Sequence, residues 1–295
     1  MLVLLFRILS KLPLPALHAL GSALGWLVYA CSPSYRRRMK ANMLRAGFAG
    51  QLPQAIAESG KSIVELAFVW CADPRRVARL THVDNMELVA QAKALGRGVI
   101  FLTPHLGCFE MTAQALAHTG PLTVMYRPPK KKSLVPLIEG ARARTNLMLA
   151  PANFSGVRIL AKALKKGQPI GILPDQVPQH GDGAWAEFFG LPAYTMTLPI
   201  KLQQMSGAVV ILTYAERLPY GRGYLVRFLP FEQDLSGTIE QQARAVNIAM
   251  EKLIATCPAQ YFWSYNRYKT PDGVSRQDAV EQGATSDEKA EEKSL

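Results

Sequence analysis

Apolar residues fall into two alternating patterns along the chain. Short, continuous, β-rich runs occupy Gly98–Leu102 (GVIFL), Leu122–Tyr126, Pro169–Leu173, Ala208–Ala215 and Tyr224–Leu229, as expected of strands buried on both faces. Between them, apolar positions recur at helical spacing. Pro53–Cys71 offers Ile56, Ile63, Val64, Leu66, Ala67 and Val69 for burial. Asp84–Leu95 reads as a helix with Asp84 as its cap. Further helices are predicted over Gly107–Ala117, Leu134–Asn146, Gly156–Lys166 (stopped by Gly167), Met196–Met205 and Ile239–Ala255. Strands alternating with helices predict an α/β fold with a mainly parallel central sheet flanked by helices. The sequence contains no internal repeat.

The first 31 residues depart from this alternation. They are dense in Leu, Ala and Val, and from Leu12 to Cys31 there is no Lys, Arg, Asp or Glu. Twenty helical residues reach roughly 30 Å, the thickness of a hydrocarbon core. Pro13, Pro15, His18, Gly21 and Gly25 interrupt a plain spanning pattern, so an interfacial helix and a buried apolar hairpin are the competing readings. A signal peptide would end in a small-residue cleavage site. Here the run leads instead into Arg36, Arg37, Arg38, Lys40 and Arg45, a cluster that attracts anionic headgroups and holds its own segment on the cytoplasmic side. The expected organisation is an uncleaved membrane anchor over 1–31, one domain over 32–272, and a polar, disordered tail over 273–295.

Charge sharpens this picture. The chain carries +12 overall, but 273–295 holds three basic and six acidic residues, a net −3, which leaves +15 on the rest. A basic body favours a polyanionic partner: nucleic acid, anionic lipid or an acidic carrier protein. The sequence has no helix-turn-helix, zinc or RNA-binding signature, which argues against nucleic acid. Cys31, Cys71, Cys108 and Cys257 form no CxxC pair and have no zinc spacing, so free thiols are expected, with Cys108 a small packed side chain. No His/carboxylate cluster has ligand spacing, so neither a metal nor another cofactor is expected.

Candidate chemistry lies just after the GVIFL run, in Thr103-Pro104-His105-Leu106-Gly107-Cys108-Phe109-Glu110. Loops at the carboxyl ends of parallel strands are where α/β folds place their sites. A strand-to-helix turn at Gly107 can bring His105 and Glu110 together, whereas a continuous helix would put them on different faces. Neutral imidazole can take the proton of an alcohol attacking an activated carbonyl, and a carboxylate on the other ring nitrogen fixes the tautomer. Such a pair suffices when the substrate hydroxyl is itself the nucleophile. Asp175 comes after another buried strand, where an ionised carboxylate needs a partner, and an arginine is the expected one.

With these residues in place, the chain resembles the late acyltransferases of lipid A biosynthesis, the lauroyl/myristoyl transferase family, within a wider group that includes the glycerol-phosphate acyltransferases. The resemblance runs from the apolar N-terminus to about Pro271. It is carried by His105 and Glu110, by Met125-Tyr126-Arg127-Pro128, and by the basic helix around Arg142, Arg144 and Asn146. Leu164-Lys-Lys-Gly167 with Pro174-Asp175-Gln176, Phe188-Phe189-Gly190 with Thr195 and Thr197, and Gln260-Tyr261-Phe262-Trp263 with Arg267-Tyr268-Lys269-Thr270 complete it. Tyr265-Asn266 stands where the family often has a histidine next to a basic residue.

The resemblance implies a glycerol-phosphate-acyltransferase-like fold at the cytoplasmic face of the inner membrane. It implies transfer of a secondary acyl chain from acyl carrier protein to the hydroxyl of a 3-hydroxyacyl group on a lipid A precursor. It further implies His105 as general base, Glu110 as its partner, and Arg142 and Asp175 as residues that organise the site or bind polar groups of the substrate. Arg127, with Arg142, could meet phosphates through its planar fork. Acyl transfer to another lipid or glycolipid, and a basic peripheral membrane-binding protein without catalysis, are the rival functions.

Overall fold

The strands form where the sequence is apolar on both faces. A computed structural model of the chain describes residues 2–127, 135, 140 and 146–275. Its strands are β1 (Thr81–Asp84), β2 (Val99–Leu102), β3 (Leu122–Tyr126), β4 (Leu147–Pro151), β5 (Pro169–Ile172), β6 (Gly183–Phe188), β7 (Leu191–Met196), β8 (Val209–Arg217) and β9 (Tyr224–Pro230). Its helices are α1 (Leu2–Leu9), α2 (Leu14–Cys31), α3 (Pro33–Arg45), α4 (Leu52–Cys71), α5 (Pro74–Arg79), α6 (Met86–Ala94), α7 (Phe109–Ala117), α8 (Phe154–Lys165), α9 (Leu198–Ser206) and α10 (Ile239–Thr256). Seven strands make one sheet in the order β1-β9-β8-β2-β5-β3-β4, parallel throughout except for the β8–β9 pair. The α/β fold with a mainly parallel sheet is the one expected.

β2 shows why the runs are continuous rather than alternating. Val99 and Phe101 face one core with Phe68, Met111, Leu116 and Phe228. Ile100 and Leu102 face the other, with Ile170, Ile172, Leu164, Ile200 and Met250. With helices on both faces, each side chain of the strand is buried. The helices are closed by local chemistry. Asn153 caps α8 by accepting from the Gly156 amide at 3.1 Å, and Thr238 and Gln241 form a capping box at α10.

Several elements differ from expectation. Asp84 does not cap the next helix but ends β1, and Asn85, at φ 62°, stands at the start of α6. Met196 belongs to β7, so the predicted Met196–Met205 helix begins at Leu198. β1 and the β6–β7 hairpin carry too few uninterrupted apolar residues to declare themselves, and β4, whose run is unbroken, follows directly on the predicted Leu134–Asn146 helix and is not among the predicted strands. The predicted helix over Leu134–Asn146, apart from residues 135, 140 and 146, the lysines at 130–132, and the tail beyond residue 275 lie outside the described residues.

The N-terminal helices pack on the body. α2 crosses α4 at glycines: a Cβ on Gly60 would lie 1.9 Å from the Gly21 carbonyl oxygen, and one on Gly25 2.1 Å from that of Ile56. Leu14, Leu17 and His18 of α2 are buried there, while Leu20, Trp26 and Leu27 face outward with Leu4, Leu5 and Ile8 of α1. Among the described helices α2 is long and apolar enough to cross a membrane, by length and composition. Beneath the crossing, the buried Arg217 of β8 binds both carboxylate oxygens of Glu65, at 2.8 and 2.6 Å, and also Glu58. Burial pushes the Glu65 carboxyl up, but the Arg217 guanidinium outweighs it and brings the value down to about 2.

Candidate active site

The site forms where β2 and β5, parallel neighbours, end together. Leu102 pairs with Ile172, and three residues beyond each stand His105 and Asp175. The two loops therefore leave the sheet side by side, and the carboxylate reaches the histidine twice. Asp175 Oδ2 accepts from the His105 backbone amide at 2.9 Å, and Oδ1 lies 2.7 Å from Nδ1. Asp175 is 2% exposed, whereas the His105 side chain keeps 17% of its surface open. Burial pushes the Asp175 carboxyl up, but the charge and hydrogen bonds of His105, helped by Arg267, hold it below the usual carboxylate range.

The turn that presents His105 is pinned on both sides. Its carbonyl accepts from the Phe262 amide at 3.1 Å, the Gly107 amide donates to Gln260 at 3.1 Å, and the Cys108 amide donates to Ala215 at 2.8 Å. Gly107 has φ 59°, and a Cβ there would come within 1.9 Å of the Ala215 carbonyl oxygen, so no other residue fits. Cys108 is buried, and burial raises its thiol well above the usual range, in keeping with a packed side chain. The imidazole edge meets Phe109, with ring centres 5.0 Å apart, and Phe262 lies further off at 6.4 Å.

An ionised Asp175 on Nδ1 places the ring proton there and leaves the Nε2 lone pair outward, the tautomer a general base needs. Nε2 lies 3.1 Å from Nε2 of Gln176, whose amide donates to it. The sequence alone assigns Gln176 no role, because only the register of β2 against β5 brings it to the ring.

Glu110, expected beside His105, sits in the first turn of α7, buried, and its Oε2 accepts from the indole of Trp70 at 3.1 Å. The carboxylate on the imidazole is that of Asp175. The expected arginine partner of Asp175 is likewise replaced by His105. Arg267 acts on Asp175 through its charge, while its guanidinium donates to the Tyr194 carbonyl at 2.8 Å and the Thr195 hydroxyl at 2.7 Å. Arg127 is exposed just past β3. Arg142 and Arg144 lie outside the described residues. Of the aromatic cluster, Tyr261 and Trp263 are buried and Phe262 is exposed.

A buried carboxylate and a histidine with an outward Nε2 suit proton removal from a substrate hydroxyl. Similarity to known proteins points to the same class of reaction. The family model described as bacterial lipid A biosynthesis acyltransferase matches residues 1–270. The lipid A biosynthesis lauroyltransferase of Escherichia coli (strain K12) is 29% identical over 283 residues, covering 90% of this chain and 89% of that protein. The palmitoleoyltransferase of the same organism is 28% identical over 280 residues, with the same coverage of 90% and 89%. A lipid A biosynthesis acyltransferase of Haemophilus influenzae is 26% identical over 246 residues, covering 81% and 73%. Since the match takes in nearly the whole described fold, the chain belongs to the bacterial lipid A biosynthesis acyltransferase family.

Proposed function

We propose that this acyltransferase moves a fatty acyl chain from an acyl carrier protein thioester to the hydroxyl of a 3-hydroxyacyl chain on a lipid A precursor. His105 Nε2 takes the hydroxyl proton as the oxygen attacks the thioester carbonyl. The tetrahedral intermediate collapses, the C–S bond breaks, and the imidazolium returns the proton to the departing thiolate. Asp175 holds the Nδ1 proton and stabilises the imidazolium. Glu110 is the second acid of the set, adding negative charge from the α7 side. Arg142 and Arg127 bind phosphate groups of the substrates. The observation that carries this reading is the 2.7 Å contact between His105 Nδ1 and Asp175, with Nε2 turned outward.

The protein works, on this reading, at the cytoplasmic face of the inner membrane. The outward apolar faces of α1 and α2 enter the lipid, and the exposed Arg37, Arg38, Lys40 and Arg45 of α3 meet anionic headgroups or the acidic carrier. The test is mass spectrometry of products from protein in detergent, supplied with carrier thioesters of several chain lengths and a tetra-acylated lipid A precursor. Wild type adds one acyl mass and His105→Ala adds none. Addition by both would remove His105 from its role, and addition by neither would redirect the proposal to another lipid or glycolipid acceptor.

A further inference from the structure

We infer that Gln176 is a positioning residue for the base: it caps His105 Nε2 in the free enzyme and yields that nitrogen to the acceptor hydroxyl. The inference rests on the acyl-transfer reading above and concerns the same histidine. Consecutive residues grip opposite sides of the imidazole, Asp175 at Nδ1 at 2.7 Å and Gln176 at Nε2 at 3.1 Å. The residues on either side of Gln176 are both held. The Asp175 carboxylate accepts from the His105 amide at 2.9 Å, and the Val177 amide donates to the Tyr265 hydroxyl at 3.0 Å. Gln176 itself is only partly buried, so its side chain can swing while its main chain stays.

A hydroxyl delivering its proton to Nε2 must occupy the place the amide now fills, because the lone pair accepts one hydrogen bond along its axis. The Gln176 N–H thus marks where the acceptor oxygen goes. In the free enzyme the amide occupies the Nε2 lone pair and holds the ring in place. Once the acceptor hydroxyl displaces it, Nε2 faces the proton it is to take.

Two variants test this, Gln176→Leu and Gln176→Ala, both of which remove the donor. The first readout is the ¹⁵N imidazole spectrum of free protein in detergent in alkaline buffer, with His105→Ala identifying the resonances. Both variants should move the Nε2 signal, whose lone pair loses its hydrogen bond, and leave the Nδ1 signal, still on Asp175, in place. The second readout is the split between kcat and KM for the acceptor. Removing an amide that the acceptor must displace should lower KM about two- to tenfold, the worth of one ordinary hydrogen bond, with kcat nearly unchanged. An unmoved Nε2 signal in both variants, or a fall in kcat with KM unchanged, would overturn the inference. If wild type transfers no acyl group, the proposed reaction fails, while the spectrum of free protein still decides the Gln176 contact.

Discussion

Asp175 and Glu110 differ in what their carboxylates touch. Asp175 spends one oxygen on the His105 main chain and the other on its ring, so it sets both the position and the tautomer of the imidazole. One oxygen of Glu110 accepts from the Trp70 indole. Replacing Asp175 by Asn would keep the shape but give Nδ1 a neutral partner able to impose the wrong tautomer. In a triad of the same logic that change costs about 10⁴ in rate. The individual signals were legible in the sequence: a histidine after a buried run, a glycine two residues on, and an acid after another buried run. Their pairing was not. Spacing of five residues pointed from His105 to Glu110, whereas the contact that forms joins residues 70 apart in sequence.

The reason lies at the level of elements. His105 meets Asp175 because β2 and β5 are adjacent with Leu102 opposite Ile172, and strand order and register are tertiary facts that hydrophobic runs do not encode. The central strands were legible because burial on both faces writes itself as an unbroken apolar run. β1 was not, since its burial is slight. The same holds for the ion pair that ties α4 to β8. Glu65 sits in a helix whose pattern predicts only apolar burial, and Arg217 lies at the end of a strand. Their pairing carries a pH dependence. The Glu65 carboxyl falls from the ordinary 4.5 to about 2 on folding, so its contribution to stability is complete above about pH 4.5 and is lost as the pH falls towards 2. In thermal unfolding, the difference in Tm between wild type and Glu65→Gln should be constant from pH 7 to 5 and shrink below pH 4.5. A difference unchanged down to pH 2.5 would contradict this assignment.

At the scale of the whole molecule, α2 has two faces with different surroundings. One carries Gly21 and Gly25 into the crossing with α4, and the other presents Leu20, Trp26 and Leu27 outward. The apolar character of 1–31 thus serves packing on one side and, on the other, leaves an outward apolar face beside the basic α3, the face proposed to enter lipid. Burying Glu in lipid is costly, so Leu20→Glu with Leu27→Glu should release the protein from vesicles containing anionic lipid in a flotation assay. Both positions are exposed, so unfolding should be little changed. Flotation equal to wild type would remove this face from membrane binding.

The measurement that bears most directly on the account is the single-turnover rate of acyl transfer by Asp175→Asn, from a carrier thioester to a lipid A precursor, with folding verified by its unfolding transition. A base held and oriented by Asp175 predicts a fall of about 10³–10⁴-fold in a protein that still folds. A rate within about tenfold of wild type would contradict the account and return the role of histidine partner to Glu110.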